Sequence, residues 1–393
     1  MTKEMKKYTV FLSAGEPSGD FLGSQLMKAL KGQLGDQVTF VGLGGSLMAA
    51  EGLPSLFPIE ELSIMGLAEI IPHIRRIRSR IQETVKAIET IHPDIVVTID
   101  SPGFNFRVGK ALKKRITSIP LVHYVAPSVW AWRPGRARAV AQFLDHLLVL
   151  FPFEPPYFLK EGLATTFVGH PVVELGLENL NDPTFRKCHK IDASAPILTL
   201  LPGSRRGEIS RLLPVFQETT VRLREKYPDL HVVIPTLPHL VAQIQKQFTL
   251  PATIVTTPLE KYAAYKESHA ALVASGTVSL ELAAAGVPMV IAYKINPLTH
   301  FLVRRLVKVK YACLVNLLMN QEVVPERLQD DCTPEKLIAA LERFFKKGDV
   351  AARKQMTTEM KRALNMLSAP LQDTSPSQCA AQRICQIMGF SLY

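Results

Sequence analysis

Five short runs in this 393-residue chain combine turn-forming residues with groups able to move a proton or grip a phosphate. The first is Ala14-Gly15-Glu16-Pro17-Ser18-Gly19-Asp20. Small residues let a backbone bend sharply and approach a ligand closely. Glu16 and Ser18 are candidate site residues, and Ser18 or Asp20 can cap the helix that follows. The second is Ile99-Asp100-Ser101-Pro102-Gly103-Phe104-Asn105-Phe106. Asp100 abruptly ends an apolar strand, a suitable place for a general base. The plain alternative is a helix cap. Asn105 can orient a neighbour from the next turn.

The third run, His123-Tyr124-Val125-Ala126-Pro127-Ser128-Val129-Trp130-Ala131-Trp132-Arg133, holds both tryptophans of the chain. Their ring N–H groups need partners, so they pack locally or line a pocket. Ser128 and His123 are further candidate site residues. No second ligand stands at metal spacing from His123, so it reads as a hydrogen-bonded core or supporting residue. The fourth run is Leu201-Pro202-Gly203-Ser204-Arg205-Arg206-Gly207-Glu208. Arginine suits two-pronged phosphate contact, which makes Ser204 and Arg205 candidates for holding a diphosphate. Arg206 fits a solvated turn more naturally. The fifth is Ala274-Ser275-Gly276-Thr277-Val278-Ser279-Leu280-Glu281. Ser275, Gly276 and Thr277 open a helix whose first amides favour an anion. Glu281 lies one helical turn beyond Thr277 on the same face and can accept both hydroxyls of a ribose.

These runs need elements to carry them. Apolar runs at Tyr8–Ala14, Val38–Leu43, Ile95–Ile99, Pro120–Val125 and His146–Leu150 read as strands separated by helical stretches. The rhythm restarts after Pro171, with strands at Ile197–Leu201, His231–Pro235, Thr253–Thr256, Ala271–Ala274 and Met289–Tyr293. Alternation of this kind predicts parallel sheets with helices on both faces. The fold class is α/β, with two doubly wound Rossmann-like domains facing a central cleft. Ligands in such folds bind beyond the carboxyl ends of the strands. The expected domains are 1–177 and 178–365, with a helix at about 366–393 rejoining the first. Pro370 to Pro376 allow that helix to fold back onto the first domain, or across to a second copy in a homodimer.

The formal net charge is +11, which favours anionic partners. The excess is spread along the chain and no nucleic-acid-binding signature accompanies it, so phosphorylated lipid or nucleotide fits better than nucleic acid. Five cysteines, without any CxxC, argue against a disulfide framework or zinc site. The first eight residues lack the apolar core of a signal peptide, and no apolar stretch is long enough to span a bilayer. A cytoplasmic, peripheral protein is expected. Ile64–Arg80 and Phe301–Lys310 mix apolar and basic residues and are candidates for lipid contact, a core-packed helix with a basic face being the alternative. No P-loop pattern and no DxD occur, and Asp330-Asp331 reads as a helix cap, so no catalytic metal or cofactor is expected.

Taken together, these runs resemble the lipid-A-disaccharide synthase family over nearly the whole chain. The matching stretches are AGEPSGD at 14–20, IMG at 64–66, IDSPGFNF at 99–106, HYVAPSVWAWR at 123–133, FVGHP at 167–171, LLPGSRRGEI at 200–209, ASGTVSLE at 274–281 and VNLL at 315–318. The resemblance implies a GT-B fold and inverting glycosyl transfer. The donor would be UDP-2,3-diacylglucosamine and the acceptor 2,3-diacylglucosamine 1-phosphate (lipid X). The products would be a β-1,6-linked disaccharide 1-phosphate and UDP, made at the cytoplasmic face of the inner membrane, on an anionic phospholipid surface. It also implies that Asp100 is the general base, that Arg205, Glu16 and Ser18 matter for function, and that Asn316 lies in the donor-binding stretch. The chain departs from the pattern at Gly103, where members often carry an acid. The rival expectation is a UDP-sugar 2-epimerase of the same architecture, which would need no lipid acceptor.

Overall fold

Apolar runs too short for helices and flanked by turn residues become parallel strands. In the computed structural model, Ile95–Ile99, Ile197–Leu201 and Ala270–Ala274 are buried at every position. That is the signature of central strands covered on both faces. The structure describes residues 6–62, 67–177, 180, 182, 184–296, 309–345, 350–371 and 373–390; side chains within 67–74 are not described. The chain divides into two units, Met1–Glu174 with Leu367–Tyr393, and Leu175–Met366.

Unit 1 carries six strands: β1 (Tyr8–Ala14), β2 (Val38–Leu43), β3 (Ile95–Ile99), β4 (Leu121–Tyr124), β5 (His146–Val149) and β6 (Ala164–Phe167). All pairings are parallel, in the order β2-β1-β3-β4-β5-β6. The helices are α1 (Pro17–Leu34), α2 (Ser46–Ala50), α3 (Leu67–Ile91), α4 (Pro102–Lys113), α5 (Arg136–Ala141) and α6 (Pro155–Leu159). Chain order reverses between β1 and β3, where a crevice opens beyond the strand ends. The register sets Ala14 beside Ile99 and Ile99 beside Tyr124. Three of the five sequence runs therefore emerge side by side.

Unit 2 repeats the plan with β7 (Ile197–Leu201), β8 (His231–Pro235), β9 (Thr253–Val255), β10 (Ala270–Ala274), β11 (Met289–Tyr293) and β12 (Glu326–Leu328). The parallel order is β12-β11-β10-β7-β8-β9, so the reversal lies between β7 and β10. Its helices are α7 (Phe185–Cys188), α8 (Arg206–Lys226), α9 (Val241–Gln247), α10 (Pro258–Glu267), α11 (Val278–Ala284), α12 (Leu314–Met319), α13 (Pro334–Leu341) and α14 (Val350–Asn365). The other two sequence runs leave β7 and β10 at this reversal.

After α14 the chain returns to unit 1. The His170 N–H donates to the Leu367 carbonyl at 2.8 Å. Helix α15 (Pro376–Ile387) starts at a capping box between Ser375 and Gln378. It is fixed to α1 through the Gln33 amide on the Gln378 carbonyl, and to Glu174 through Ser377.

Three details differ from the sequence reading. The sequence reads helices over Phe21–Lys31, Val108–Ile116 and Val215–Lys226, whereas α1, α4 and α8 begin earlier, at Pro17, Pro102 and Arg206, because their first turns consist of loop-like small and polar residues. The half-exposed edge strands β6 and β12 lack the apolar runs of central strands. Asp330-Asp331 does not cap α13; Thr333 does, by accepting the Lys336 N–H, while Asp331 pairs with the Lys336 ammonium.

Candidate active site

Unit 1 builds a strained carboxylate at its crevice. Asp100 and Ser101 both adopt left-handed backbone, at φ 49° and 46°. Each such non-glycine residue costs ~1–3 kcal/mol and persists only where its surroundings enforce it. Asn105 is the enforcing group. Its side chain is almost fully buried, and its amide donates to the carbonyls of Ser13, Ile99 and Asp100 at 3.2, 3.0 and 2.8 Å. Its oxygen accepts the Ser13 hydroxyl at 2.8 Å. One side chain thus ties the ends of β1 and β3 together and sets the direction of Asp100. The Asp100 N–H is held by the Tyr124 carbonyl at 2.9 Å.

Ser18, exposed on the first turn of α1, stands 3.4 Å from the Asp100 carboxylate, a long contact for a hydroxyl. Glu16 is exposed on the same loop. A Cβ on Gly15 would lie 2.6 Å from the Ser101 hydroxyl oxygen and 3.0 Å from its Cβ, so any larger residue forces Ser101 to shift. Asp20 does not cap its own helix. It accepts the N–H groups of Gly45, Leu47 and Met48 at 2.8, 3.0 and 3.0 Å, capping α2 across the crevice.

Of the tryptophan run, Trp130 behaves as scaffold, while Trp132 is exposed and carries the Arg133 guanidinium over its ring. Trp130 donates its ring N–H to Glu154 at 3.1 Å and packs edge-on to Phe153. Glu154, which the sequence reading passed over, also accepts the N–H groups of Leu150 and Phe151. Burial pushes its carboxyl up to about 7, against the pull of those donors. His123 is fully buried, bonds Thr98 at 2.8 Å and lies edge-on to Phe106. Burial lowers it to about 3, so it is a neutral support behind the β3–β4 edge. Ser128 is exposed, and its carbonyl accepts the N–H groups of Ala131 and Trp132.

Unit 2 holds a cavity of about 430 Å³ at the β7–β10 reversal. Ser204, Arg205, Ser275, Gly276, Thr277 and Glu281 all line it. Arg206, the first residue of α8, does not. Gly203 turns at φ 113°, and a Cβ there would meet Glu208 Oε2 at 2.5 Å. Glu208 shapes this turn by accepting the Ser204 N–H at 3.3 Å and pairing with Arg205 at 3.2 Å. The Arg205 side chain is 76% exposed, which leaves its guanidinium accessible to a ligand. Helix α11 begins without a side-chain cap, beside Gly276 and Thr277. The Ser275 hydroxyl is spent on the Ala312 carbonyl at 2.8 Å.

Asn316 is not part of the cavity lining. It is fully buried and uses its whole hydrogen-bonding capacity on its own loop: the N–H groups of Val323 and Val324, the Val324 carbonyl and Glu326. Glu326 in turn holds the N–H groups of Ala312 and Cys313 at 2.9 Å each. Asn316 therefore reaches the Ser275 turn only through this relay. The sequence reading missed Thr236, Thr257 and Lys261, which line the cavity from the loop just after β8, the N-cap of α10 and α10 itself. Nothing in their local sequence marks them; only tertiary folding brings them to the β7–β10 edge.

Of the apolar-basic segments, 64–66 and 301–308 lie outside the described residues. Within 75–80, Arg80 is committed to Glu61 and Glu83, while Arg75 and Arg78 are exposed. Among the described residues no helix is long and apolar enough to cross a membrane.

A family model described as lipid-A-disaccharide synthetase matches residues 10–382. A lipid-A-disaccharide synthase of Rhodospirillum centenum is 48% identical over 98% of this chain and 96% of its own length. One from Paramagnetospirillum magneticum is 47% identical over 95% and 96%. Among solved structures, S. aureus MnaA with UDP superposes at a TM-score of 0.68, with 13% identity and 98% coverage of each chain. The UDP-GlcNAc 2-epimerase of Neisseria meningitidis bound to UDP-GlcNAc does so at 0.63, with 14% identity over 98% of this chain and all of that one. At such identities the structural likeness shows the fold alone, and that fold is GT-B.

Proposed function

The chain belongs to the lipid-A-disaccharide synthetase family, a glycosyltransferase of lipid A biosynthesis, and from that premise we propose how its residues divide the reaction. The donor, UDP-2,3-diacylglucosamine, sits in unit 2. Arg205 and the amides of the 275–277 turn meet the diphosphate, and Glu281 takes the ribose hydroxyls. The acceptor, 2,3-diacylglucosamine 1-phosphate, presents its 6-hydroxyl to Asp100. As the acceptor oxygen attacks the anomeric carbon, its proton passes to the Asp100 carboxylate. The bond from that carbon to the β-phosphate oxygen breaks, and UDP leaves with the electron pair. Attack opposite the leaving group inverts the anomeric centre and gives the β-1,6 linkage.

The observation that carries this reading is the Asn105 bracket. It holds a carboxylate in costly backbone geometry at a strand end, where general-base chemistry gives such an expense a purpose. Arginine and turn amides stabilise the charge growing on UDP, a task a metal ion can also perform. We take the reaction to be metal-independent. The family's lipid substrates and the net charge of +11 support peripheral work at the cytoplasmic face of the inner membrane. The epimerase alternative is not favoured, because the family match and the near-full-length relatives are lipid-A-disaccharide synthases by name.

The test is UDP release from the donor in the presence of the acceptor, in detergent micelles, with and without a chelator. Asp100→Ala should lower turnover by about 10²–10⁴-fold, the span of a general base, while UDP binding survives. Near-normal turnover of that variant, or a chelator-sensitive rate in the wild type, overturns the corresponding assignment.

A further inference from the structure

Glu281 does not face the cavity alone. The Lys261 ammonium lies 2.8 Å from its Oε2, and the Tyr265 hydroxyl stands 3.5 Å from the same oxygen. Lys261 comes from α10 and Glu281 from α11, and both line the cavity. Lys261 is itself fixed, with its ammonium 4.4 Å from the centre of the Tyr262 ring. Tyr265 is completely buried, and burial raises its hydroxyl well above its usual range, so it stays protonated and able to donate.

We infer that Lys261 is a positioning residue for nucleotide recognition: it occupies one oxygen of Glu281 so that the other is presented to the ribose hydroxyls. This rests on the assignment of the cavity to UDP. One physical point carries it. A carboxylate held by a fixed cation through Oε2 keeps its orientation, whereas an unpaired one rotates. Arg205 and the 275–277 turn can grip phosphate whether or not Lys261 is present. The selectivity supplied by Lys261 therefore belongs to the sugar of the nucleotide and not to its phosphates.

The assay is equilibrium binding of UDP, UMP and 2′,3′-dideoxy-UDP to the full-length protein, compared across wild type, Lys261→Met, Lys261→Arg and Glu281→Gln. Wild type should prefer UDP over the dideoxy analogue by about tenfold or more, as one or two hydrogen bonds to a charged group supply. Lys261→Met should erase most of that preference. It should weaken UDP and UMP by the same factor, and leave the dideoxy analogue nearly unchanged. Lys261→Arg should restore the preference. In turnover, the Met variant should raise the donor KM far more than it lowers kcat.

If Lys261→Met weakens UDP but not UMP, Lys261 contacts the β-phosphate and the positioning role is wrong. If Glu281→Gln abolishes the preference and Lys261→Met keeps it, Lys261 has no part in ribose recognition, while the UDP assignment stands. If wild type does not bind UDP at all, the assignment of the cavity fails first.

Discussion

Replacing Asn105 should damage stability and turnover together, and the choice of replacement separates the causes. Its amide serves three carbonyls, and its oxygen accepts the only hydroxyl in the bracket, that of Ser13. Asn105→Ala removes these bonds, each worth ~0.5–1.5 kcal/mol net, and strands the buried Ser13 hydroxyl at ~1–3 kcal/mol. Together the four bonds and the stranded hydroxyl come to roughly 3–9 kcal/mol. Asn105→Asp keeps the shape but turns the donating end into an acceptor that faces three carbonyl oxygens. It should therefore cost more than alanine, although it is the more conservative change in outline. Both tryptophans belong to unit 1, so their fluorescence during urea unfolding reports that unit. Turnover of the folded alanine variant should also fall, because the strained Asp100–Ser101 backbone relaxes once its carbonyl anchor is gone. Affinity for the proposed donor should hold, since the cavity assigned to it is lined by unit 2 residues. Wild-type stability in Asn105→Ala, or an aspartate variant more stable than the alanine one, would refute the reasoning.

Two further outcomes follow from buried acids. Glu154 titrates at about 7 in the folded protein against 4.5 ordinarily, so between those values the unfolded chain releases its proton first. Stability should fall as pH rises through that window, by up to ~3 kcal/mol at 1.36 kcal/mol per unit. The gap in thermal midpoint between wild type and Glu154→Gln should therefore change between pH 5 and pH 8; a constant gap would contradict the burial account. Asp20→Ala should destabilise unit 1 by about 2–4 kcal/mol, because three N–H groups at the start of α2 lose a charged acceptor. Asp20→Asn should fall between alanine and wild type, and a loss no larger than for an exposed residue would remove the capping role.

The central strands were legible because parallel strands buried on both faces are written as unbroken apolar runs, as in Ile95–Ile99 and Ala270–Ala274. The five chemical runs were legible because each directly follows such a strand. Helix starts were not: Pro17–Asp20 and Arg206–Ser210 look like loop in composition and yet form first turns. Pairings that depend on folding were also invisible. Nothing near residue 20 announces that Asp20 will cap a helix at 46, and nothing near 261 announces Glu281. Asn316 shows the converse case. Its motif placed it in the donor-binding stretch, while its four hydrogen bonds commit it to the loop 323–326.

The return of α15 to unit 1 has a consequence for biosynthesis. Unit 2 is continuous in sequence and interrupts unit 1, whose last helix is translated only after residue 366. Most of unit 2 therefore emerges from the ribosome while the sheet that carries Asp100 still waits for the last helix of its unit. Chains released early by premature stops beyond 366 would keep the unit 2 cavity and expose the apolar face of α1. On the proposed assignment they would bind the nucleotide donor without transferring its sugar, and would be early targets for chaperones and proteases.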